Sequence, residues 1–150
     1  MQQTGDALLK WLFVFIWVIT LLHFTAEQQY WYWTYRWVDI PMHFLGGVWV
    51  GLVALWLWYY SGLMRKREGA PTHPLAIALV GGMAFGVVWE AYELLLTFVG
   101  GITLPSNYVP DSLLDLVMDA CGAVTAYGLW RHGVSKNEEV DKGVGNIVAE

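Results

Sequence analysis

The chain has 150 residues, 57% of them apolar and 14% charged, with 10 Trp, 8 Tyr and a formal net charge of −5. A soluble domain of this size carries roughly a quarter charged residues, so this composition excludes an ordinary water-soluble domain and describes a small integral membrane protein. The negative charge argues against a nucleic-acid partner, and the single Cys121 excludes an internal disulfide and a thiolate-rich metal site.

Four apolar stretches follow one another along the chain, over Leu8–Thr25, Pro41–Ser61, Leu75–Val99 and Ser112–Trp130. Each is near the roughly 20 residues that a membrane-crossing helix needs. The sequence therefore predicts an all-α integral membrane protein, a four-transmembrane-helix bundle over 1–130. The first stretch has a long apolar run, a weakly charged start and no small-x-small cleavage site, so it is expected to remain as an anchor. Arg131–Glu150 is polar and mixed in charge, and is expected to be a largely disordered cytoplasmic tail.

With four crossings, both termini share a side with the Gly62–Pro74 loop. That side carries Lys10, Arg65, Lys66, Arg67, Arg131, Lys136 and Lys142, whereas the opposite side carries Arg36. The positive-inside rule then predicts cytoplasmic termini, with the Tyr30–Trp37 and Gly100–Pro110 connections outside. Trp31, Trp33 and Trp37 on one side, and Trp56, Trp58 and Trp130 on the other, read as the two interfacial belts.

Within this orientation, polar groups fall in one layer. Asp119 lies about 12 Å below Asp111 in the fourth stretch, and Glu93 and Glu90 lie about 9 and 13 Å below Val99 in the third. His43 and Asp39 stand at the outer end of the second stretch and His23 at that of the first. At 100° per residue, Asp111, Asp115, Asp119 and Gly122 share a helix face, as do Gly82, Gly86, Glu90 and Glu93. Small residues mark the faces by which helices approach closely in lipid, so Gly46, Gly47, Gly86 and Gly122 are expected to pack and the acids to point inward.

Charged groups inside a membrane must be neutralised. One carboxylate at the centre of a spanning helix costs roughly 2.5–3.5 kcal/mol, so Glu90, Glu93, Asp115 and Asp119 together cost on the order of 10 kcal/mol unless a cation, protons or a cationic partner compensates. The pairs Asp39/His43, Glu90/Glu93 and Asp115/Asp119 each set two ligating side chains on neighbouring turns, the way helical bundles build carboxylate-rich metal sites. Oxygen ligands with one imidazole suit Mg, Mn, Ca, Fe or Zn better than Cu. The predicted site is His43, Glu90, Glu93, Asp115 and Asp119, binding metal or protons, supported by Asp39, Asp111 and His23. The same residues serve a proton relay without a metal. Asp111 or Ser112, with Asp115 three residues on, also read as helix-capping groups, and so does Asp39.

Three motifs carry a resemblance. DIPMHFLGG over 39–47, WEAYE over 89–93 and DSLLDLVMDACGA over 111–123 resemble, in order and spacing, the YjdF-like small membrane proteins and, more distantly, the VanZ-like family. The resemblance implies a multi-pass protein of the bacterial inner membrane. VanZ-like proteins are associated with resistance to glycopeptide antibiotics acting at the outer surface, which suits an outward-opening site. They commonly carry an amide near the positions of Glu93 and Asp119, so the carboxylates here favour the YjdF-like relationship.

Three function classes share these features. The first is a cation-binding membrane protein, extending to an enzyme acting on a lipid-linked or envelope substrate, with membrane lipid as its partner. The second is a proton- or ion-coupled transporter or channel, for which the sequence offers no internal repeat and no polar path through the inner half. The third is a structural or partner-binding subunit.

Overall fold

A computed structural model describes residues 2–35, 37–63, 73–101, 103–104 and 106–148, with side chains over 5–135 of these. The helices are α1 (Gln2–Gln28), α2 (Trp31–Thr34), α3 (Asp39–Tyr59), α4 (Pro74–Val99) and α5 (Tyr108–Val148). Gly5–Gln28, Asp39–Tyr59, Pro74–Val99 and Tyr108–Ser135 are long and apolar enough to cross a membrane. Phe24, Val88, Phe98 and many other large apolar side chains are exposed on the outside of the bundle, as lipid-facing positions require. The protein is an all-helical integral membrane bundle.

Local chemistry sets the helix ends. Pro74 begins α4, where its missing N–H costs nothing, and the extended His73 precedes it. Gly101, at φ 66°, follows α4 in the left-handed conformation that a Cβ disfavours. Asp39 opens α3 as an acid in the first turn, which suits the helix dipole, but no side chain caps the preceding N–H groups. Asp111 and Ser112 lie inside α5, since that helix starts at Tyr108. Asp39 and Asp111 thus support their helix ends as acids of the first turn rather than as N-caps.

Two elements differ from the sequence expectation. α5 runs on to Val148, so most of the segment expected to be a disordered tail from 131 is helical. Once a helix is nucleated by a membrane span, each added residue gains a hydrogen bond without a new nucleation cost, and polar helix formers such as Lys136, Glu138 and Glu139 sustain it. α2 was also not anticipated. It is a single turn after Tyr30, whose φ of 58° reverses the chain out of α1. The basic Arg65–Arg67 run and Arg36, used for the orientation argument, lie outside the described residues.

α3 is the centre of the bundle, packed against α5, α4 and α1. Its approach to α5 depends on glycines. A Cβ on Gly47 would collide with the backbone of Asp119, and one on Gly122 with the Phe44 carbonyl and the Val48 amide. Gly51 sits against Ala123 and Ala126, and Gly82 of α4 sits against Ala123. Backbone thus meets backbone along one seam. α1 is attached differently: Trp49 Nε1 donates to the Leu12 carbonyl at 2.9 Å and Trp56 Nε1 to the Gly5 carbonyl at 3.0 Å. Both bonds hold the first half of α1, leaving its second half free to diverge from α3.

Candidate metal centre

The seam that seats Gly47 on Asp119 also brings polar side chains together one turn away. His43 precedes Gly47 by four residues, so it lies on the same face of α3 and is carried inward with it. Asp115 and Asp119 occupy successive turns of α5, and Glu90 continues the Gly82, Gly86 face of α4. All four are buried, with His43 only 6% and Asp119 only 3% exposed. Gly86 is needed as well, because a Cβ there would collide with the Asp119 carboxylate.

The two nitrogens of His43 face different partners. Nδ1 lies 3.3 Å from Asp119 Oδ2 in a buried hydrogen bond, so an Nδ1–H donates to that carboxylate. Nε2 lies 3.7 Å from Asp39 Oδ1 and 4.0 Å from Glu90 Oε1, too far for a hydrogen bond to either. Both Nε2 and Glu90 Oε1 are buried without a hydrogen-bond partner. Asp39, His43 and Asp115 each offer a ligand atom, all within 4.8 Å of one another. A ring whose Nδ1–H is held by a carboxylate keeps its Nε2 lone pair free and aimed, which is the arrangement common to metal-bound histidines. In this geometry Asp119 is placed to orient His43, and Asp39, His43 and Asp115, with Glu90 at their edge, are the residues that could hold a metal ion.

The other sequence-predicted residues fall around this group. Glu93 accepts a hydrogen bond from Trp89 Nε1 at 2.8 Å, one turn away on α4. His23 Nδ1 lies 2.8 Å from the Tyr32 hydroxyl, and its ring meets the edge of Trp89 at 6.3 Å between centroids. Burial, reinforced by the charges of Asp39, Glu27 and Glu93, pushes the Tyr32 phenol well above its ordinary range, so it stays protonated. Asp111 is exposed, one turn before Asp115 on α5. Gly46 has open space where a Cβ would stand, so the helix contact expected of it is made by Gly47 alone. Neither Tyr32, which reads as an interfacial aromatic, nor Trp89, which the sequence shows only as part of the 89–93 motif, is among the predicted site residues; the spacing of Trp89 and Glu93 by one helical turn is the available signal.

Beside the centre lies a cavity of about 470 Å³, lined by α1, α2, α3, α4 and Asp119 of α5. Its polar end holds His23, Tyr32, Asp39, His43 and Glu93, and its other end is apolar, with Ile16, Val50 and Phe85. No such space was anticipated. It exists because α1 is tied to α3 at Gly5 and Leu12 and only reaches α4 again at the His23–Trp89 contact.

The chain matches the family described as Predicted membrane protein (DUF2238) over residues 5–135 and belongs to that family. The match lends no support to the VanZ-like resemblance. No curated protein and no solved structure matches the chain.

Proposed function

We propose that this member of the DUF2238 family is a YjdF-like protein of the bacterial inner membrane that binds a divalent cation between α3, α4 and α5. Asp39, His43 Nε2 and Asp115 are its ligands, Glu90 completes or balances the site, and Asp119 fixes the ring. The observation that carries this reading is His43 Nε2, buried without a hydrogen-bond partner and facing carboxylates on three helices while its other nitrogen is held. A buried acceptor left unsatisfied costs about 1–3 kcal/mol, and uncompensated buried carboxylates cost more. A hard or borderline cation removes both costs at once, and the oxygen-rich set with one imidazole suits Mg²⁺, Mn²⁺, Ca²⁺, Fe²⁺ or Zn²⁺.

Melting curves of protein purified in mild detergent test this, with and without Mg²⁺, Mn²⁺, Ca²⁺ and Zn²⁺. At least one cation raises the wild-type midpoint. Glu90→Gln weakens that shift while leaving the cation-free protein unchanged or more stable, because one repulsive charge is gone. If no cation moves the midpoint, a protonated structural network replaces this reading.

The centre opens to the outside in this proposal, on the support of the seven-to-one distribution of basic residues between the two sides. Cysteines introduced into the 100–110 connection, in a Cys121→Ala background, react with an impermeant maleimide on intact cells, and one in the 62–74 loop does not. The reverse pattern overturns the orientation.

A further inference from the structure

The cavity and the candidate centre share two side chains, Asp39 and His43. From that wall the space runs along α3 as far as Val50, 11 positions beyond Asp39, or about 16 Å toward the middle of the bundle. Over this distance its lining turns from carboxylate, imidazole and phenol to Ile16, Val50 and Phe85. A space polar at a membrane helix end and apolar at depth matches an amphiphile in shape and polarity. At about 470 Å³ it falls within the roughly 300–1,000 Å³ of small-molecule pockets, enough for a polar head and a stretch of hydrocarbon tail.

The route in follows from the packing. α1 contributes Ile16 and His23 to one wall and α4 contributes Phe85 and Trp89 to the facing wall, and both helices are membrane-spanning with mostly exposed apolar surfaces. The gap between them faces the acyl region of a bilayer, so a tail enters sideways without leaving lipid.

The head is constrained by charge. The polar end presents Glu27, Asp39, Glu93 and Asp119, and among the described residues no Lys or Arg lines the cavity. A phosphate has no basic side chain to bind there. It gains a partner when a divalent cation sits on Asp39, His43 and Asp115, because such a cation keeps open positions for oxygen ligands and binds phosphate in preference to a neutral head. We propose that the cavity holds a membrane phospholipid with its phosphate on the cation and one tail between α1 and α4. This rests on the cation reading above and adds its ligand class.

The test uses full-length protein in an uncharged maltoside detergent, with native mass spectrometry as the readout. The probes are dioctanoyl phosphatidic acid, dioctanoylglycerol, inorganic phosphate and dodecylamine, each with the cation that raises the melting midpoint and with EDTA. The phosphatidic acid is expected to bind at least about tenfold more tightly with cation than with EDTA, and at least about tenfold more tightly than either dioctanoylglycerol or inorganic phosphate. Gly46→Phe fills the cavity at a position with no neighbour within 4 Å, so it is expected to remove lipid binding and keep the cation-induced midpoint shift. Equal binding in EDTA, equal binding of inorganic phosphate, or unchanged lipid binding by Gly46→Phe overturns the proposal. Tight binding of dodecylamine that the cation displaces overturns it in favour of an ammonium-headed ligand. A cation shift without lipid binding overturns this inference and leaves the cation site standing, whereas absence of any cation shift overturns both.

Discussion

At the end of the bundle where α3 begins, the buried side chains include His43, Glu90, Asp115 and Asp119; at the other end those described are apolar, among them Leu55, Ala78 and Ala126. One seam of small residues builds both. Gly51, Gly82, Ala123 and Ala126 bring α3, α4 and α5 together where only carbon needs packing, and Gly47, Gly86 and Gly122 do the same where carboxylates must converge. Close approach is favourable in the first case through dispersion alone. In the second it forces like charges into contact, and the protein must recover that cost from whatever neutralises them. Small residues in a membrane bundle therefore set how near helices come, and the side chains one turn away determine whether nearness stabilises or stores repulsion.

The sharpest way to break the comparison is to damage the apolar end alone. Leu55, fully buried, is expected to cost about 2–5 kcal/mol as Leu55→Ala, read as a lower melting midpoint, while the cation-induced shift of that midpoint stays as in wild type. A lost shift would show that the two ends are one unit. Gly122→Ala acts on the seam between them. Its Cβ meets the Phe44 carbonyl and the Val48 amide, so a loss of about 1–3 kcal/mol is expected together with a weaker cation shift. Gly46→Ala, with nothing within 4 Å, is the matched control and is expected to be neutral or stabilising by up to about 1 kcal/mol. The smallest effect on stability sharpens the polar end. Asp119→Asn is expected to leave the fold and the three proposed ligands in place but to weaken the hold on His43, raising the cation dissociation constant about 10–100-fold by isothermal titration. An unchanged constant would remove Asp119 from its orienting role.

Much of this arrangement was legible in the sequence because helical periodicity is a local property. The spacing of Gly82, Gly86 and Glu90 gives their common face without knowledge of any partner helix, and the four apolar stretches give the crossings. What was not legible depends on register between helices. Gly46 and Gly47 are neighbours in the chain, yet about 100° of helix rotation gives one to the cavity and the other to α5. Asp39, one turn before His43 on α3, is legible as its neighbour, whereas the placing of Asp119 on His43 Nδ1 follows from how α3 sits against α5, which no single stretch encodes. The length of α5 differs from the sequence expectation for another reason: loss of an apolar face marks the end of the membrane, and a helix can continue past it.

The attachment of α1 has a consequence for sequence variation. Trp49 and Trp56 grip the carbonyls of Leu12 and Gly5, groups that every amino acid supplies, and most α1 side chains face outward. The fit between α1 and α3 is therefore recorded in the two indoles of α3 and in a narrow inward stripe of α1, where Leu12 packs with Val48 and Leu52 and Leu8 and Phe15 lie against them. Across a saturation-mutagenesis library, outward positions of α1 such as Trp11, Phe13 and Leu21 accept most apolar exchanges, Gly5 does not because the Tyr60 ring stands where its Cβ would be, and the two indoles of α3 tolerate none that removes the N–H. The outward face of the first helix is thus free to drift in sequence while the helix keeps its place in the structure.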